Sequence, residues 1–425
     1  MTFNRLSGLV MLLAGVVALN ILLWRMGHTT SLRYARMLLI QQASADSWRP
    51  MLRGLEAWDS GQPIYQTVFF SDRVKFQYPP SSLLLPLALR NDQRSGIPLF
   101  HALNRVGLAA TLVVWVSTVV LFMRTWRTDP SRLGHLRLWL GAAVMAACSL
   151  AYFPVTIAYV LGQIQTIVNA AISVALVCWL LNRPGAAGVA VGVASLVKPH
   201  FALLLFWGAA RRRWSFVIAT AATVTVGGVI AVAIFGWSEH VAYARVLGYI
   251  GERGEALYAN QSVNGLLNRL LQPLEHRGWD FHSYPPPLLL VTAGTAGSSL
   301  ALLGLAIWLP RRLRFAGTPL DLAIACLSIT MASPIAWDHH YGLLLPILVL
   351  AAGVAGSVGN APRWVLPALM MSAVATGNLW EPLIDVVAPP WNLVQSYVLA
   401  GALIALVTLY RLGTASVAVS SGVGD

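Results

Sequence analysis

The stretch RRRWSFVIATAATVTVGGVIAVAIFGW, residues 211–237, decides the fold. Residues 215–236 contain no Asp, Glu, Lys or Arg, and as an α-helix they reach about 33 Å. The hydrocarbon core of a bilayer is about 30 Å thick, so this segment is long enough to cross it. Three arginines precede the segment and Trp237 follows it, as is typical of a transmembrane helix with a cytoplasmic basic end and an aromatic anchor.

The composition of the full chain indicates that much of the rest is also embedded in a membrane. Of 425 residues, 57% are hydrophobic and 11% are charged, with a mean hydropathy of +0.66, which is more apolar surface than a water-soluble core can bury. The formal charge of +13 comes from short arginine clusters between apolar segments, so no nucleic-acid partner is expected. The cysteines all lie in apolar runs, and no disulfide or zinc pattern follows. We predict one membrane domain over residues 1–425.

About twelve apolar segments qualify as membrane spans. The first, Leu6 to Trp24, is interpreted as a retained signal anchor because no small-x-small cleavage site follows it; a cleaved signal peptide is the alternative. The segments 185–197 and 200–210 are short, which predicts tilted or broken helices that meet near Lys198-Pro199. The other predicted spans are 98–123, 137–154, 164–181, 215–236, 286–309, 318–332, 341–358, 363–377 and 391–411.

The distribution of arginine predicts the orientation. If the N-terminus is cytoplasmic, every short loop on its side contains arginine, whereas 155–163, 333–340 and 378–390 contain neither Lys nor Arg. Positive residues favour the cytoplasmic side, so these three loops are predicted to face outward. Two long loops, 26–97 after the first span and 237–285 after the seventh, then face outward too. The expected fold is an all-α polytopic membrane protein.

Polar groups are costly at membrane depth, so their clustering near one face indicates function. Asp46, in the first outer loop, is either a reactive carboxylate or a solvated one. Gln163 begins a span, where its amide either binds hydroxyl groups or bonds a neighbouring helix. Lys198 suits a phosphate, although snorkelling to the interface explains a lysine there equally well.

Two further polar groups belong to the predicted outer face. Asn260 and Gln261 lie between Arg253 and Arg269. Either guanidinium could bind phosphate oxygens through two hydrogen bonds, or both could be solvated. The segment Ser333-Pro-Ile-Ala-Trp-Asp-His-His340 places an acid and two imidazoles at the mouth of a span. Adjacent histidines on a helix point in different directions and chelate poorly, so no metal site is predicted.

In these residues the chain resembles glycosyltransferase family 87, the GT-C group that includes polyprenyl-phosphomannose-dependent mannosyltransferases and related arabinofuranosyltransferases. The resemblance covers most of the chain in order. It is carried by Asp46, Gly61 to Tyr65, Tyr78-Pro79-Pro80, Gly162-Gln163, Leu196 to Pro199 with the basic turn Arg211 to Trp214, Asn260 to Ser262 and Ser333 to His340.

The resemblance implies a GT-C fold and an inverting transfer of sugar, mannose first, from a polyprenyl-phosphate donor to a glycolipid or glycan acceptor. It places this reaction on the extracytoplasmic face of a bacterial inner membrane. It makes Asp46 the general base and requires no cofactor. Donor phosphate would be held by His339, His340, Lys198 and Arg253, and the sugar or acceptor would be contacted by Gln163, Asn260, Gln261, Tyr78 and Trp337.

Other classes of protein also place polar groups in membranes. A lipid-linked-sugar transporter or flippase has broken helices and intramembrane polar residues, but it typically shows repeat symmetry between its halves. We find no such repeat, and the polar residues crowd one predicted face. A non-catalytic membrane assembly factor is a further alternative.

Overall fold

The computed structural model describes residues 18, 21–28, 31–91, 98–126, 132–277, 280, 282–358, 361–377 and 381–421. Across these residues the regular secondary structure is helical, and one isolated β-bridge joins Asn260 and Trp337. The prediction of an all-α protein is therefore confirmed. Most of the first predicted span, Leu6 to Trp24, lies outside the described residues.

Three kinds of helix occur along the described residues. The α-helices are Ser31–Leu39, Trp48–Asp59, Leu84–Asn91, Leu99–Thr125, Arg132–Leu150, Phe153–Val160, Gln165–Leu180, Pro184–Val197, Leu204–Ala210, Trp214–Phe235, Trp237–Arg253, Val263–Leu271, Leu289–Arg312, Pro319–Met331, Leu344–Ser357, Val365–Ala375 and Tyr397–Ser421. A π-helix covers Gln66–Ser71, and 3-10 helices cover Pro80–Leu83, Pro199–Leu203, Leu274–His276, Asp338–Leu343, Glu381–Asp385 and Trp391–Ser396.

Among the described residues, five helices are long and apolar enough to cross a membrane: Leu99–Thr125, Trp214–Phe235, Leu289–Arg312, Asp338–Ser357 and Trp391–Val417. The predicted span 137–154 does not end as one straight helix, because Gly134–Leu150 and Phe153–Val160 meet at a bend of 48°. Several apolar helices are shorter than a full span. The total of twelve spans stays a prediction.

The helix is interrupted at Lys198, where the sequence predicts an interruption. Lys198 has an extended backbone, with φ −133° and ψ 97°, between Pro184–Val197 and the 3-10 helix Pro199–Leu203. Pro199 has no N–H to continue the preceding helix. The break therefore leaves the Lys198 side chain at a helix junction.

Small residues bring the neighbouring helices Pro184–Val197 and Trp214–Phe235 close together. A Cβ atom added at Gly188 would lie 2.4 Å from the Phe216 carbonyl oxygen, and one at Gly192 would lie 2.5 Å from Thr223. Without a hydrophobic driving force inside lipid, such close packing supplies much of the attraction between helices.

The outward faces of several helices are apolar. Leu289 is 83% exposed, Leu300 is 72% exposed and Phe206 is 70% exposed. In water such surfaces would associate, whereas in a bilayer they contact hydrocarbon chains. Together with the membrane-length helices, they make this chain an integral membrane protein.

The two long segments that the sequence predicts as outer loops are folded and pack against each other. Tyr65 stacks on Phe76 with ring centroids 5.3 Å apart, and Tyr243 of the second segment contacts Tyr65 at 5.5 Å. The Lys75 ammonium lies 2.6 Å from a carboxylate oxygen of Glu255, and both side chains are buried. These contacts close the space above the membrane helices and form one side of a cavity.

Candidate active site

A cavity of about 1330 Å³ lies where the two long segments meet the broken helices. Its wall includes seven of the ten residues that the sequence singles out: Asp46, Tyr78, Gln163, Lys198, Trp337, His339 and His340. Residues from four separate parts of the sequence thus meet at one site. Asn260, Gln261 and Arg253 do not line this cavity.

Asp46 is held by the turn that precedes helix Gln165–Leu180. Its backbone N–H donates to the Leu161 carbonyl at 2.9 Å, and the Ser44 hydroxyl donates to its Oδ1 at 2.8 Å. Among the described residues, none donates a hydrogen bond to its Oδ2. This oxygen is available to accept a proton from a group in the cavity.

Gly162 permits this arrangement. Its φ is +61°, and a Cβ atom there would lie 2.1 Å from the Ser44 carbonyl oxygen. A side chain at this position would therefore clash with the segment that carries Asp46 and would also strain the backbone.

Three polar side chains form a cluster beside Asp46. The Ser47 hydroxyl donates to Gln163 Oε1 at 2.6 Å and lies 2.7 Å from the Tyr78 hydroxyl, which in turn lies 3.2 Å from the same amide oxygen. Burial raises the pKa of Tyr78 to about 12, so it remains a neutral phenol. These bonds use the oxygen of Gln163, and its amide nitrogen has no partner within the described parts of the chain. The nitrogen can donate to a bound molecule.

Lys198 and His340 lie together on the cavity wall and supply its basic nitrogens. Lys198 Nζ lies 2.5 Å from His340 Nε2, while His340 Nδ1 accepts from the backbone N–H of Trp337 at 3.2 Å. A neutral imidazole that accepts at Nδ1 carries its proton on Nε2, which then points toward Lys198. No carboxylate of the described residues forms an ion pair with Lys198. In the pair as it stands, the Nε2–H donates to the Lys198 amine nitrogen; a bound anion would favour the ammonium form of Lys198, and both nitrogens could then donate to that anion.

His339 lies against the same wall but is more deeply buried. It is 2% exposed, and its Nδ1 is 3.4 Å from Asp338 Oδ1. Its ring lies at 86° to the His340 ring, and its carbonyl accepts from Asn169 at 3.3 Å. Within the described residues, no group of three or more His, Cys, Asp or Glu side chains is arranged to hold a metal ion.

Asn260 has a different position from the one that the sequence suggests. Its Nδ2 donates to the carbonyls of Glu255 and Pro334 at 2.9 and 3.1 Å, and its Oδ1 accepts from the Ala336 N–H at 3.0 Å. The side chain is completely buried, so it braces the segment that carries His339 and His340.

Gln261 and Arg253 also lie away from the cavity wall. Gln261 Nε2 donates to the Gln395 carbonyl at 2.8 Å, and its Oε1 accepts from the Val398 N–H at 3.1 Å. Arg253 lies over the Tyr249 ring, with its guanidinium carbon 3.8 Å from the ring centroid. Both side chains are engaged by the protein itself.

The cavity wall also contains residues outside the predicted site. Asp338 stands inside the quoted motif Ser333 to His340, His200 directly follows Leu196 to Pro199, and Lys75 lies just before Tyr78-Pro79-Pro80, so position within or beside a motif was an available signal. No quoted motif contains Tyr34 or Tyr258. The added residues with titratable or charged side chains are Tyr34, Arg49, Arg53, Lys75, His200, Tyr243, Tyr258, His282, Asp338 and Glu381.

The fold and the cavity define an integral membrane protein with a carboxylate and a lysine–histidine pair in the lining of one cavity. The sequence profile of glycosyltransferase family 87 matches residues 76–334, which is more than half of the chain. The chain belongs to this family. It is a glycosyltransferase.

Similarity to characterised relatives extends over most of the chain. A polyprenol-phosphate-mannose-dependent alpha-(1-2)-phosphatidylinositol mannoside mannosyltransferase of Mycobacterium tuberculosis is 27% identical over 88% of this chain and 82% of its own. An alpha-(1->3)-arabinofuranosyltransferase of Corynebacterium glutamicum is 24% identical over 54% of this chain and 51% of its own. The crystal structure of ArnT from Cupriavidus metallidurans, in the apo state, aligns with a TM-score of 0.29 and 17% identity over 96% of this chain and 78% of that chain.

Proposed function

We propose that the enzyme transfers a sugar, with mannose as the first candidate, from a polyprenyl-phosphate donor to a lipid or glycan acceptor. One observation carries the proposal: the Asp46 carboxylate and the Lys198–His340 pair line the same cavity. A base and an anion site are the two elements that such a transfer requires. The donor named for the Mycobacterium tuberculosis relative supports a polyprenyl-phosphate sugar.

Asp46 acts as general base in this mechanism. Its Oδ2 takes the proton of the acceptor hydroxyl while that oxygen attacks C1 of the sugar. The bond between C1 and the phosphate oxygen breaks, its electron pair leaves with the phosphate, and the configuration at C1 inverts. The hydrogen bond from Ser44 leaves one oxygen available and orients the carboxylate.

Lys198 and His340 stabilise the charge that develops on the departing phosphate. A phosphate monoester dianion is a weakly basic leaving group, so donors and positive charge are needed more than a general acid. The lysine ammonium and the His340 Nε2 proton provide them. His339 lies beside this pair, and no cofactor or metal enters the mechanism.

The sugar and the acceptor contact the remaining polar wall. The free amide nitrogen of Gln163 donates to a hydroxyl group, and Tyr78 fixes the amide in that orientation. Trp337 offers an indole face to a sugar ring. We reassign Asn260 and Gln261 as positioning residues because their polar atoms bond the protein, and Arg253 has no contact with the site.

The active site faces the extracytoplasmic side in this proposal, with the N-terminus in the cytoplasm of a bacterial inner membrane. The support is the charge asymmetry of the loops: 155–163 and 333–340, which border the cavity, contain no Lys or Arg. Positively charged short loops stay preferentially in the cytoplasm. GT-C architecture with about twelve spans is consistent with this orientation.

The proposal is tested by transfer of radiolabelled mannose from polyprenyl-phosphomannose to a membrane lipid extract with purified protein. Asp46→Asn should lower the rate by at least about 100-fold, since general bases typically contribute 10² to 10⁴. Asp59→Asn, whose exposed carboxylate pairs with Arg90 away from the cavity, is the matched control.

Three results would each overturn one part of the proposal. Full activity in Asp46→Asn excludes that residue as the base. Transfer from polyprenyl-phosphoarabinofuranose, with none from the mannose donor, replaces mannose by the sugar that the Corynebacterium glutamicum relative's name implies. Absence of transfer from both donors, together with movement of the intact donor across vesicles, would make the protein a flippase.

A further inference from the structure

A second cavity, of about 300 Å³, lies at the other end of helix Pro199–Ala210 from Lys198. The 3-10 and α-helical turns between these points span roughly 20 Å. The two cavities are therefore separate sites. Four arginines dominate the wall of the smaller one, which consists of Ala210, Arg211, Arg212, Arg213, Arg311, Ala316 and Gly317.

Arg211 is locked in the wall. Its Nε lies 2.7 Å from Asp321 Oδ2 and its Nη2 lies 3.0 Å from Asp321 Oδ1, while Nη1 donates to the Ile307 carbonyl at 2.9 Å. Both members of this ion pair are buried. Asp321 is thus committed to Arg211 and leaves the other three arginines uncompensated.

Arg213 and Arg311 are also held in place. The Arg213 guanidinium lies 5.7 Å from the centroid of the Trp179 ring, and Arg311 donates to the Ala210 carbonyl. Arg212 is exposed at the mouth of the cavity. In the part of the chain that the structure describes, none of these three arginines forms an ion pair with a carboxylate.

The cavity opens at the boundary of the apolar surface. Trp214 and Trp308, which flank its arginines on two membrane-length helices, are each 58% exposed. Tryptophan side chains at helix ends lie at the level of lipid headgroups. A basic pocket between membrane helices at this depth fits the phosphate of a lipid.

We propose that this arginine pocket binds the phosphate group of an anionic phospholipid. Planar guanidinium groups pair with phosphate oxygens through two parallel hydrogen bonds, and three uncompensated arginines around one small cavity suit that geometry. Free inorganic phosphate has the same chemistry, but the exposed tryptophans favour a headgroup whose chains remain in the bilayer. The pocket does not depend on the sugar or the acceptor used at the main cavity.

The test measures phosphatidylglycerol binding to purified, detergent-solubilised protein by native mass spectrometry and by saturable thermal stabilisation. Arg212→Gln/Arg311→Gln removes two pocket charges and keeps the Arg211–Asp321 pair. Arg312→Gln/Arg314→Gln removes two exposed arginines close by that do not line the pocket. Each arginine near anionic lipid changes affinity about 5-fold, so the pocket variant should bind about 25-fold more weakly while the control changes little.

Equal losses in the two double variants would overturn the proposal, because the effect would then be general surface charge. Inorganic phosphate that stabilises the protein as strongly as phosphatidylglycerol would overturn the lipid assignment. Zwitterionic phosphatidylethanolamine should not compete. The Arg212 side chain is exposed and has no hydrogen bond among the described residues. Arg212→Gln alone should bind phosphatidylglycerol about 5-fold more weakly. This single variant tests the proposal if the double variant does not fold.

Discussion

The backbone N–H of Asp46 donates a hydrogen bond to the carbonyl oxygen of Leu161 at 2.9 Å. The proposed base is therefore positioned by the turn around Leu161 and Gly162. This turn is distant from Asp46 in the sequence and directly precedes helix Gln165–Leu180. A change in that turn should affect catalysis without touching any reacting atom.

Replacement of Gly162 by Ala tests this dependence. The Cβ atom would lie 2.1 Å from the Ser44 carbonyl oxygen, so the segment with Asp46 must move, and we expect a loss of transfer of about 100-fold through lost alignment. The left-handed backbone adds about 1 to 2 kcal/mol of strain. Gly61 also has a positive φ, +69°, but no atom lies within 4 Å of a Cβ added there. Gly61→Ala should therefore lose thermal stability through backbone strain and keep most of its activity. Similar activity losses in both variants would refute a positional role for the turn.

Replacement of Lys198 tests the phosphate site. Lys198→Met keeps the aliphatic stem and removes the charge, and kcat should fall by about 10² to 10³, as when one transition-state donor is lost. Lys198→Arg keeps the charge in a larger side chain and should retain more activity. If Lys198 only packs against its neighbours, Lys198→Met should be more active than Lys198→Arg, because Met resembles the lysine stem more closely than Arg does. Steady-state kinetics with the polyprenyl-phosphate donor distinguish the phosphate-binding role from the packing role.

Asn260→Ala tests whether Asn260 positions the 333–340 segment. It removes the buried acceptor of the Ala336 N–H and one of the two side-chain donors to the Pro334 carbonyl, which also accepts from Ser262, and this costs about 1 to 3 kcal/mol of stability. Asn260→Asp keeps the acceptor for Ala336 but places a carboxylate oxygen against the Glu255 and Pro334 carbonyls in a fully buried site, so it should be less active than wild type and no more stable than Ala. Thermal unfolding and kcat are the measurements, and a change in KM alone with unchanged stability would indicate direct substrate contact instead.

Glu255 predicts a pH effect on stability. Burial raises the pKa of its carboxyl from the ordinary 4.5 to about 7, against the opposing charge of Lys75. A group whose pKa is raised on folding contributes stability below its unfolded pKa, and this contribution is lost as the pH rises through the folded pKa. Wild type should therefore lose thermal stability between about pH 5 and pH 7 relative to Glu255→Gln. Parallel pH profiles of the melting temperature in the two proteins would contradict this assignment.

The helical membrane fold could be predicted because it depends on local composition. Residues 215–236 are long, apolar and uncharged, and one such segment already requires a bilayer. The break at Lys198 was also predictable, since Pro199 interrupts the backbone hydrogen bonds. The bend near Tyr152 also has a signal, since Pro154 opens helix Phe153–Val160 and cannot donate to the Leu150 carbonyl, but the prediction of one span over 137–154 did not use it.

The site was predictable to the extent that its chemistry lies in compact motifs. Asp46, Gln163, Lys198 and His340 reach the cavity as expected. Asn260 has the same residue chemistry but bonds buried backbone groups, and only the fold distinguishes an amide that binds a ligand from one that braces a loop. Tyr34 could not be found, because its place on the wall depends on the docking of helix Ser31–Leu39.

One wall of the main cavity is apolar, with Leu203, Phe206, Leu247, Ile250 and Leu303 along it. A molecule whose head enters the polar side can leave its hydrocarbon chain among such residues and in the surrounding bilayer. The encounter then takes place in two dimensions, and the quantity that sets the rate is the mole fraction of substrate in the leaflet. Dilution of the membrane with inert lipid at constant bulk concentration should slow turnover, as surface-dilution kinetics require.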